Sequence, residues 1–204
     1  MVRPIGVLLA GGASTRMGTD KATVELAGRP MSAWVLEALA AVCEDVLVAG
    51  RPEGLDSVRG IADPVADRRG PLSGLVGALE QGGSSPVLLV ATDQPWVRVD
   101  TLRHLVELSG ELPVVPIDHD GTRQSTCAVF PPGILSVALD ELLAGGSIQS
   151  VLDRTAFVPV EEDTWRSWGE DGRSWFSADT PDAAAAGLAR FGPPRPPSGD
   201  KNDA

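Results

Sequence analysis

Ile5-Gly6-Val7-Leu8-Leu9-Ala10-Gly11-Gly12-Ala13-Ser14-Thr15-Arg16-Met17-Gly18-Thr19-Asp20-Lys21 runs from unbroken apolar residues into a glycine pair, two hydroxyls and two cations. A short, continuously apolar run closed by glycine reads as a strand buried on both faces. Val46-Leu47-Val48-Ala49 and Val87-Leu88-Leu89-Val90-Ala91 are runs of the same kind, and helical patterns separate them. Met31 to Val42 carries Met31, Val35, Leu39 and Val42 on one face. Pro71 to Gln81 turns Leu72, Leu75, Val76 and Leu79 inward, and Asp100 to Ser109 aligns Leu102, Leu105 and Val106. Val114-Val115-Pro116 and Thr126 to Phe130 add strands. Ile134 to Leu143 and Pro181 to Phe191 add helices, the last with Pro181 suited to a first turn. Strands alternating with helices predict a single three-layer α/β/α domain around a mostly parallel, Rossmann-like sheet. The domain is expected to span residues 1–191. The stretch from Gly192 to Ala204, rich in Pro, Gly and charge, reads as a disordered tail.

The totals narrow the function. A chain of 204 residues with 43% apolar and 22% charged residues is an ordinary globular domain. A formal charge of -11 repels phosphate backbones and anionic lipid, and with 4% aromatics and no tyrosine there is little to stack bases on. Nucleic acid and membrane are therefore not expected partners. Cys43 and Cys127 have neither zinc spacing nor a disulfide framework and read as buried apolar residues. Ile5 to Ala10 is too short for a signal peptide, and no run approaches the ~20 apolar residues of a membrane span, so the cytoplasm is the expected compartment. His104 and His119 read as surface or turn residues and leave little room for a Ser-His-Asp set. Trp165, Trp168 and Trp175 read as cover for a sheet edge, and Glu161-Glu162-Asp163 as a solvated charge run.

Open α/β sheets bind ligands beyond the carboxyl ends of their strands, and the chemically informative residues follow the apolar runs. Gly11 and Gly12 let the backbone approach a ligand, successive N–H groups can form an anion-binding concavity, and Arg16 and Lys21 add fixed charge. A triphosphate whose leaving pyrophosphate gains charge calls for this combination. The loop matches neither the dinucleotide pattern GxGxxG nor the GK[ST] ending of a P-loop. Asp63 and then Gly70-Pro71-Leu72-Ser73-Gly74-Leu75 follow the second strand. Here Gly70-Pro71 presets a helix start and Gly74 allows close packing on a strand. The third strand runs into Thr92-Asp93-Gln94-Pro95. A carboxylate in that place is costly to bury unpaired, and magnesium accepts such a ligand together with substrate phosphates.

Leu9-Ala10-Gly11-Gly12, then Arg16-Met17-Gly18, then Asp20-Lys21 resembles the signature loop of nucleotide-sugar-type nucleotidyltransferases, most closely that of the molybdenum cofactor guanylyltransferases. The segments at Asp63, at Gly70 to Leu75, at Asp93 to Pro95 and at Thr180-Pro181-Asp182 are similar to that family's as well. The resemblance implies transfer of GMP from magnesium-bound GTP to molybdopterin or the molybdenum cofactor, with release of pyrophosphate. It implies nucleotide contacts from Leu9, Ala10, Gly11, Gly12, Lys21, Asp63 and Asp93, catalytic roles for Arg16, Lys21 and Asp93, and Asp93 as the Mg2+ ligand. Gln124 and Asp179 would touch the acceptor or a second metal, and cofactor-delivery proteins are implied partners. Relatives that transfer cytidylyl groups carry Ala-Gly in place of Gly11-Gly12, which tilts the resemblance toward GTP. The chain departs from the family in four places. Ser125-Thr126 replaces Pro-Leu after Gln124, Ser177 and Asp179 replace two asparagines, and Gly50 offers no side chain to the base. These departures keep two alternatives open: a nucleotidyltransferase acting on another phosphorylated acceptor, of cytidylyl or sugar-phosphate type, or a non-catalytic nucleotide-binding adaptor.

Overall fold

The computed structural model describes residues 3–10, 24–50, 55, 58–61, 64 and 70–196. Along them run β1 (Ile5–Leu9), β2 (Glu25–Leu26), β3 (Arg29–Pro30), α1 (Met31–Ala40), β4 (Asp45–Ala49), β5 (Gly60–Ile61), α2 (Pro71–Gly82), β6 (Val87–Ala91) and α3 (Val99–Glu107). There follow β7 (Val114–Pro116), β8 (Cys127–Phe130), α4 (Leu135–Ala144), α5 (Ile148–Arg154), β9 (Val158–Val160), α6 (Glu162–Ser167) and α7 (Pro181–Phe191). β2 and β3 form a small separate hairpin. The other strands make one seven-stranded sheet in the order β5-β4-β1-β6-β8-β7-β9.

β5, β4, β1 and β6 pair in parallel, as the continuous apolar runs of β1, β4 and β6 predict for that part of the sheet, and β7 and β9 are parallel to each other. β8 runs against both neighbours. The reason lies in the connection. Parallel neighbours need a crossover of a dozen or more residues, whereas the chain from Ile117 to Thr126 folds back through a turn. There the Gly121 N–H donates to the Asp118 carbonyl (2.8 Å) and the Asp118 N–H to that of Thr122 (2.9 Å). Alternation of strand and helix therefore breaks between β7 and β8, and the sheet is mostly rather than wholly parallel.

Helices cover both faces, as expected for a three-layer domain. Odd-numbered residues of β1 and β4 (Val7, Leu9, Leu47, Ala49) pack under α2, α4 and α5, while Leu8 and Val48 face α1 and α3 on the other side. Each fully buried leucine in these layers contributes about 1.5–3 kcal/mol by leaving water. Two glycines set the spacing. A Cβ on Gly6 would meet the Cys43 Sγ at 2.9 Å, and one on Gly74 would meet the Ala49 Cβ at 2.5 Å. α2 thus sits directly on β1 and β4. Its start is fixed by Gly70 (φ 121°), in a conformation that side chains resist, and by Pro71 in its first turn. α7 starts on Thr180, whose Oγ accepts the Ala183 N–H (3.1 Å), with Pro181 following.

The three tryptophans expected to cover a sheet edge pack instead on the face of the sheet that carries α1 and α3: Trp165 and Trp175 are buried there among Leu102, Leu105, Val114 and Val160, and Trp168 stacks on His104 of α3 at 4.8 Å. Trp165 is buried, donates its indole N–H to the Ile117 carbonyl (2.8 Å) and meets Trp175 edge-on at 5.3 Å. Glu162 and Asp163 form the first turn of α6, where negative charge suits the helix dipole. The first residues of the stretch read as a tail pack on the domain: the Trp96 indole donates to the Gly192 carbonyl (2.8 Å) and Pro194 is buried. No helix among the described residues is long and apolar enough to cross a membrane.

Candidate active site

The register of the central strands brings their carboxyl ends level. Leu9 lies opposite Ala49 of β4 and Ala91 of β6, so Ala10, Gly50 and Thr92-Asp93 leave the sheet side by side. Hydrogen bonds fix these exits. The Ala10 N–H donates to the Ala49 carbonyl (2.9 Å). Thr92 donates both its backbone N–H (3.1 Å) and its hydroxyl (2.8 Å) to the Leu9 carbonyl, the last oxygen of β1. Leu9 and Ala10 therefore sit beside the Asp93 loop. Gly50 has φ 106°, which explains why no side chain stands there.

Asp93 is half-buried at the edge of this strip. Its carbonyl accepts the Ala178 N–H (2.7 Å) and its Oδ2 accepts the Ser177 hydroxyl (3.0 Å). Two segments 84 residues apart are thereby joined, and the closing segment Ser177-Ala178-Asp179 is carried to Asp93. Behind the carboxylate, Gln94 is buried. Its side-chain oxygen accepts the Ala91 N–H (3.1 Å) and its amide faces the Thr126 hydroxyl at 3.4 Å. Hydrogen bonds to both sides of the Asp93 peptide and carboxylate hold the loop in one geometry, a precondition for positioning a charged ligand.

Gln124 stands apart from this cluster. It belongs to the connection before β8, its N–H donating to the Pro116 carbonyl (2.8 Å) and its amide reaching the Thr122 carbonyl at 3.4 Å. The next two residues, where the chain departs from its resembled family, are tied into the site instead. Ser125 is buried and accepts from the Gln149 amide (3.1 Å), and Thr126 meets Gln94. Proline and leucine could make neither bond. Ser125 and Thr126 line a cavity of about 320 Å³ together with Gly70 and Pro71 at the start of α2 and Ser147 and Gln149 at the start of α5. Gly11, Gly12, Arg16, Lys21 and Asp63 lie outside the described residues.

Sequence reasoning did not single out Thr92 or Gln149, and it passed over Gln94. Thr92 and Gln94 did carry a signal, being polar residues directly after a fully buried strand. Gln149 carried none, because its partner is 24 positions away.

The donor set around Asp93 is hard oxygen. Among the described residues no group of three or more His, Cys, Asp or Glu gathers that could hold a metal ion by itself. A single half-exposed carboxylate fits an ion such as magnesium, which is bound by one or two carboxylates and takes its remaining ligands from phosphates and water.

The family model of the MobA-like NTP transferase domain matches residues 6–160. A probable molybdenum cofactor guanylyltransferase of Pelotomaculum thermopropionicum is 32% identical over 89% of this chain and 90% of its own. The molybdenum cofactor guanylyltransferase of Cereibacter sphaeroides is 30% identical over 71% of this chain and 77% of its own. Among solved structures, molybdopterin-guanine dinucleotide biosynthesis protein A of Archaeoglobus fulgidus superposes with a TM-score of 0.78, covering 91% of this chain and 97% of that one at 24% identity.

Proposed function

This chain belongs to the MobA-like NTP transferase family, and from that premise we propose that it transfers GMP from GTP to molybdopterin, with release of pyrophosphate. The observation that carries the reading is the Asp93 carboxylate, which accepts the Ser177 hydroxyl and stands in a loop that Thr92 ties to the Leu9 carbonyl, at the carboxyl edge beside the exit of β1. The names of the similar proteins from Pelotomaculum and Cereibacter supply the nucleotide and the acceptor.

In the proposed reaction an oxygen of the acceptor phosphate attacks the α-phosphorus of GTP. The bond from that phosphorus to the β-phosphate bridging oxygen breaks, and its electron pair leaves with pyrophosphate. The attacking oxygen is already anionic, so no strong base is needed, and catalysis rests on positioning and charge. A magnesium ion bound at Asp93 would supply charge neutralisation for the phosphates. Leu9, Ala10, Gly11 and Gly12 hold the nucleoside through their backbone, Asp63 fixes it, and Arg16 and Lys21 face the charge that grows on the departing group. The cavity between the starts of α2 and α5 has room for the acceptor, with Ser125, Thr126, Ser147 and Gln149 among its polar groups. Asp179, next to the Ala178 that bonds the Asp93 carbonyl, contacts acceptor or ion. Gln124, turned into the β7–β8 connection, acts on the acceptor by shaping the approach to Ser125. The reaction needs no membrane and no nucleic acid, and its setting is the cytoplasm, where cofactor-delivery proteins would pass molybdopterin to the enzyme and take the product from it.

Calorimetric titration with GTP, CTP, ATP and UTP in the presence of magnesium tests the reading, with Asp93→Ala as the control. Preference for GTP that is lost in Asp93→Ala supports it. Preference for CTP or UTP would move the acceptor to a sugar or other phosphate. GTP binding without pyrophosphate release in the presence of molybdopterin would make the chain an adaptor.

A further inference from the structure

Glu170 is a carboxylate outside the candidate site, only 3% exposed, and its oxygens collect four donors. The hydroxyls of Thr101 in α3 (2.5 Å) and of Ser174 (2.5 Å) donate to Oε2. The N–H groups of Asp171 (2.9 Å) and Ser174 (3.3 Å) donate to Oε1. The Arg173 guanidinium adds favourable charge. The N–H of Glu170 itself donates to the Trp165 carbonyl (3.2 Å), so its backbone is tied to α6. Ser174 is fully buried and used twice: the hydroxyl that donates to Glu170 also accepts the Arg98 N–H (3.1 Å).

These bonds belong to a longer alignment. Thr101 meets Glu170, Arg98 meets Ser174, Trp96 meets Phe176 edge-on at 5.7 Å, and Asp93 meets Ser177 and Ala178. The chain from Asp93 into α3 and the chain from Glu170 to Ala178 therefore run antiparallel in one register, set mostly by side chains. Asp93 stands at one end of this alignment and Glu170 at the other. Little slack separates them. Ser174 to Ser177 spans at most about 11 Å, and the Phe176 N–H closes a turn by donating to the Arg173 carbonyl (3.2 Å).

Packing alone does not call for a carboxylate at this position, because an apolar side chain fills a buried space without the cost of desolvating a charge. A carboxylate adds direction: its donors come from both segments, and a slip of either strands buried polar groups. We propose that Glu170 is a positioning residue for the candidate active site. Its carboxylate fixes the register in which Ser177 and Ala178 hold Asp93, and so tunes the affinity of Asp93 for magnesium. The effect on magnesium rests on the reading of Asp93 as its ligand, whereas the register does not.

Amide hydrogen exchange in the full 15N-labelled chain, in EDTA, reads the register through the Ala178 N–H, which donates to the Asp93 carbonyl (2.7 Å). The Thr92 N–H, which donates to the Leu9 carbonyl (3.1 Å), is the reference, because a general loss of stability speeds both amides alike. In Glu170→Gln, Ala178 should exchange about tenfold faster relative to Thr92, the effect of losing a bond to a charged group. Ser174→Ala keeps the carboxylate with its Thr101 and Asp171 donors, so it folds even if Glu170→Gln does not, and about 2–10-fold is expected there. Calorimetric titration of magnesium at saturating GTP reads the consequence, an affinity about 3–10-fold weaker in Glu170→Gln than in the parent chain. Ala178 keeping pace with Thr92 in either folded variant would overturn the proposal. So would magnesium affinity that is unchanged in Glu170→Gln but lost in Asp93→Ala. Equal magnesium affinity in Asp93→Ala and the parent would instead overturn the metal reading, and the Ala178 amide would still decide the register.

Discussion

At the scale of single residues, Asp93 concentrates the site's chemistry because the sheet brings it out level with Leu9 and two separate segments clamp it. Its carboxylate is half-exposed and the Ser177 hydroxyl that donates to it is on an exposed residue, so the fold should survive Asp93→Ala. Pyrophosphate release should then fall by about 10²-fold or more, the cost of losing an electrostatic stabiliser, and Lys21→Ala should fall by a similar factor. Near-normal release in either variant, at an unchanged melting temperature, would remove that residue from the mechanism. Ser177→Ala deletes one hydrogen bond to Asp93 and keeps the carboxylate. A loss of about 2–10-fold is expected, matching the ~0.5–1.5 kcal/mol of a single bond. The contrast between the two variants separates bearing the charge from aiming it. Asp93 was legible in the sequence because a carboxylate after a fully apolar run has no packing role. The ties of Gln94 to Thr126 and of Gln149 to Ser125 were not legible, since each joins residues that only the folded chain makes neighbours.

At the scale of elements, α2 decides how the cavity at Gly70 lies against the ends of β1 and β4. Its contact with β1 and β4 depends on Gly74, where an added Cβ would meet the Ala49 Cβ at 2.5 Å and a Leu9 methyl at 3.0 Å. Leu9 cannot yield freely, because its carbonyl holds Thr92. Gly74→Ala is therefore expected to destabilise the protein by about 1–3 kcal/mol, as overpacked cores do, and to weaken nucleotide binding, because α2 must back away from the site. Thermal melts and calorimetry read the two effects, and a melt equal to the parent's would mean that α2 rides higher on the sheet than described. Thr180→Ala removes only the cap of α7 and should cost about 1 kcal/mol. Elements with long periodic runs (β1, α1, β4, α2, β6, α3, α7) could be read from sequence because local pattern and burial agree. β5, β9, α5 and α6 could not. The strands have only two or three residues, and the helices only six or seven. Such short pieces are held by tertiary contacts that no window of sequence displays. The reversed β8 was hidden for a different reason: strand direction depends on the connection, and Ile117 to Thr126 lacks a helical pattern whose absence is informative only once β7 and β8 are known to be adjacent.

At the scale of the whole molecule, the two thiols report on how cooperatively the sheet and its helices hold together. Cys43 and Cys127 both lie in the core between the sheet and α1 and α3. Burial pushes the Cys43 thiol up to about 12 from an ordinary value near 9, and pushes Cys127 up as well. The thiolate is the reactive form, so a thiol reagent at neutral pH should label neither cysteine in the folded chain. Labelling should proceed only through unfolding, and both sites should react at one rate if this core opens as a unit. Rapid labelling of Cys43 alone would place a local opening at the end of α1. The same shift sets the alkaline limit of stability. Below the ordinary thiol value both states are protonated and the thiols contribute no pH dependence. Above it the unfolded chain releases protons that the folded chain retains, so stability falls as pH climbs from about 9 toward about 12. The chain has no tyrosine, and its cations are almost all arginine, so few other groups titrate in that window. The urea midpoint is therefore expected to decline over this range, and Cys43→Ala should decline less steeply than the parent, whatever its stability at neutral pH. Parallel slopes for the two proteins would show that Cys43 ionises in the folded state, contrary to its position against Gly6 and Leu39 in the core.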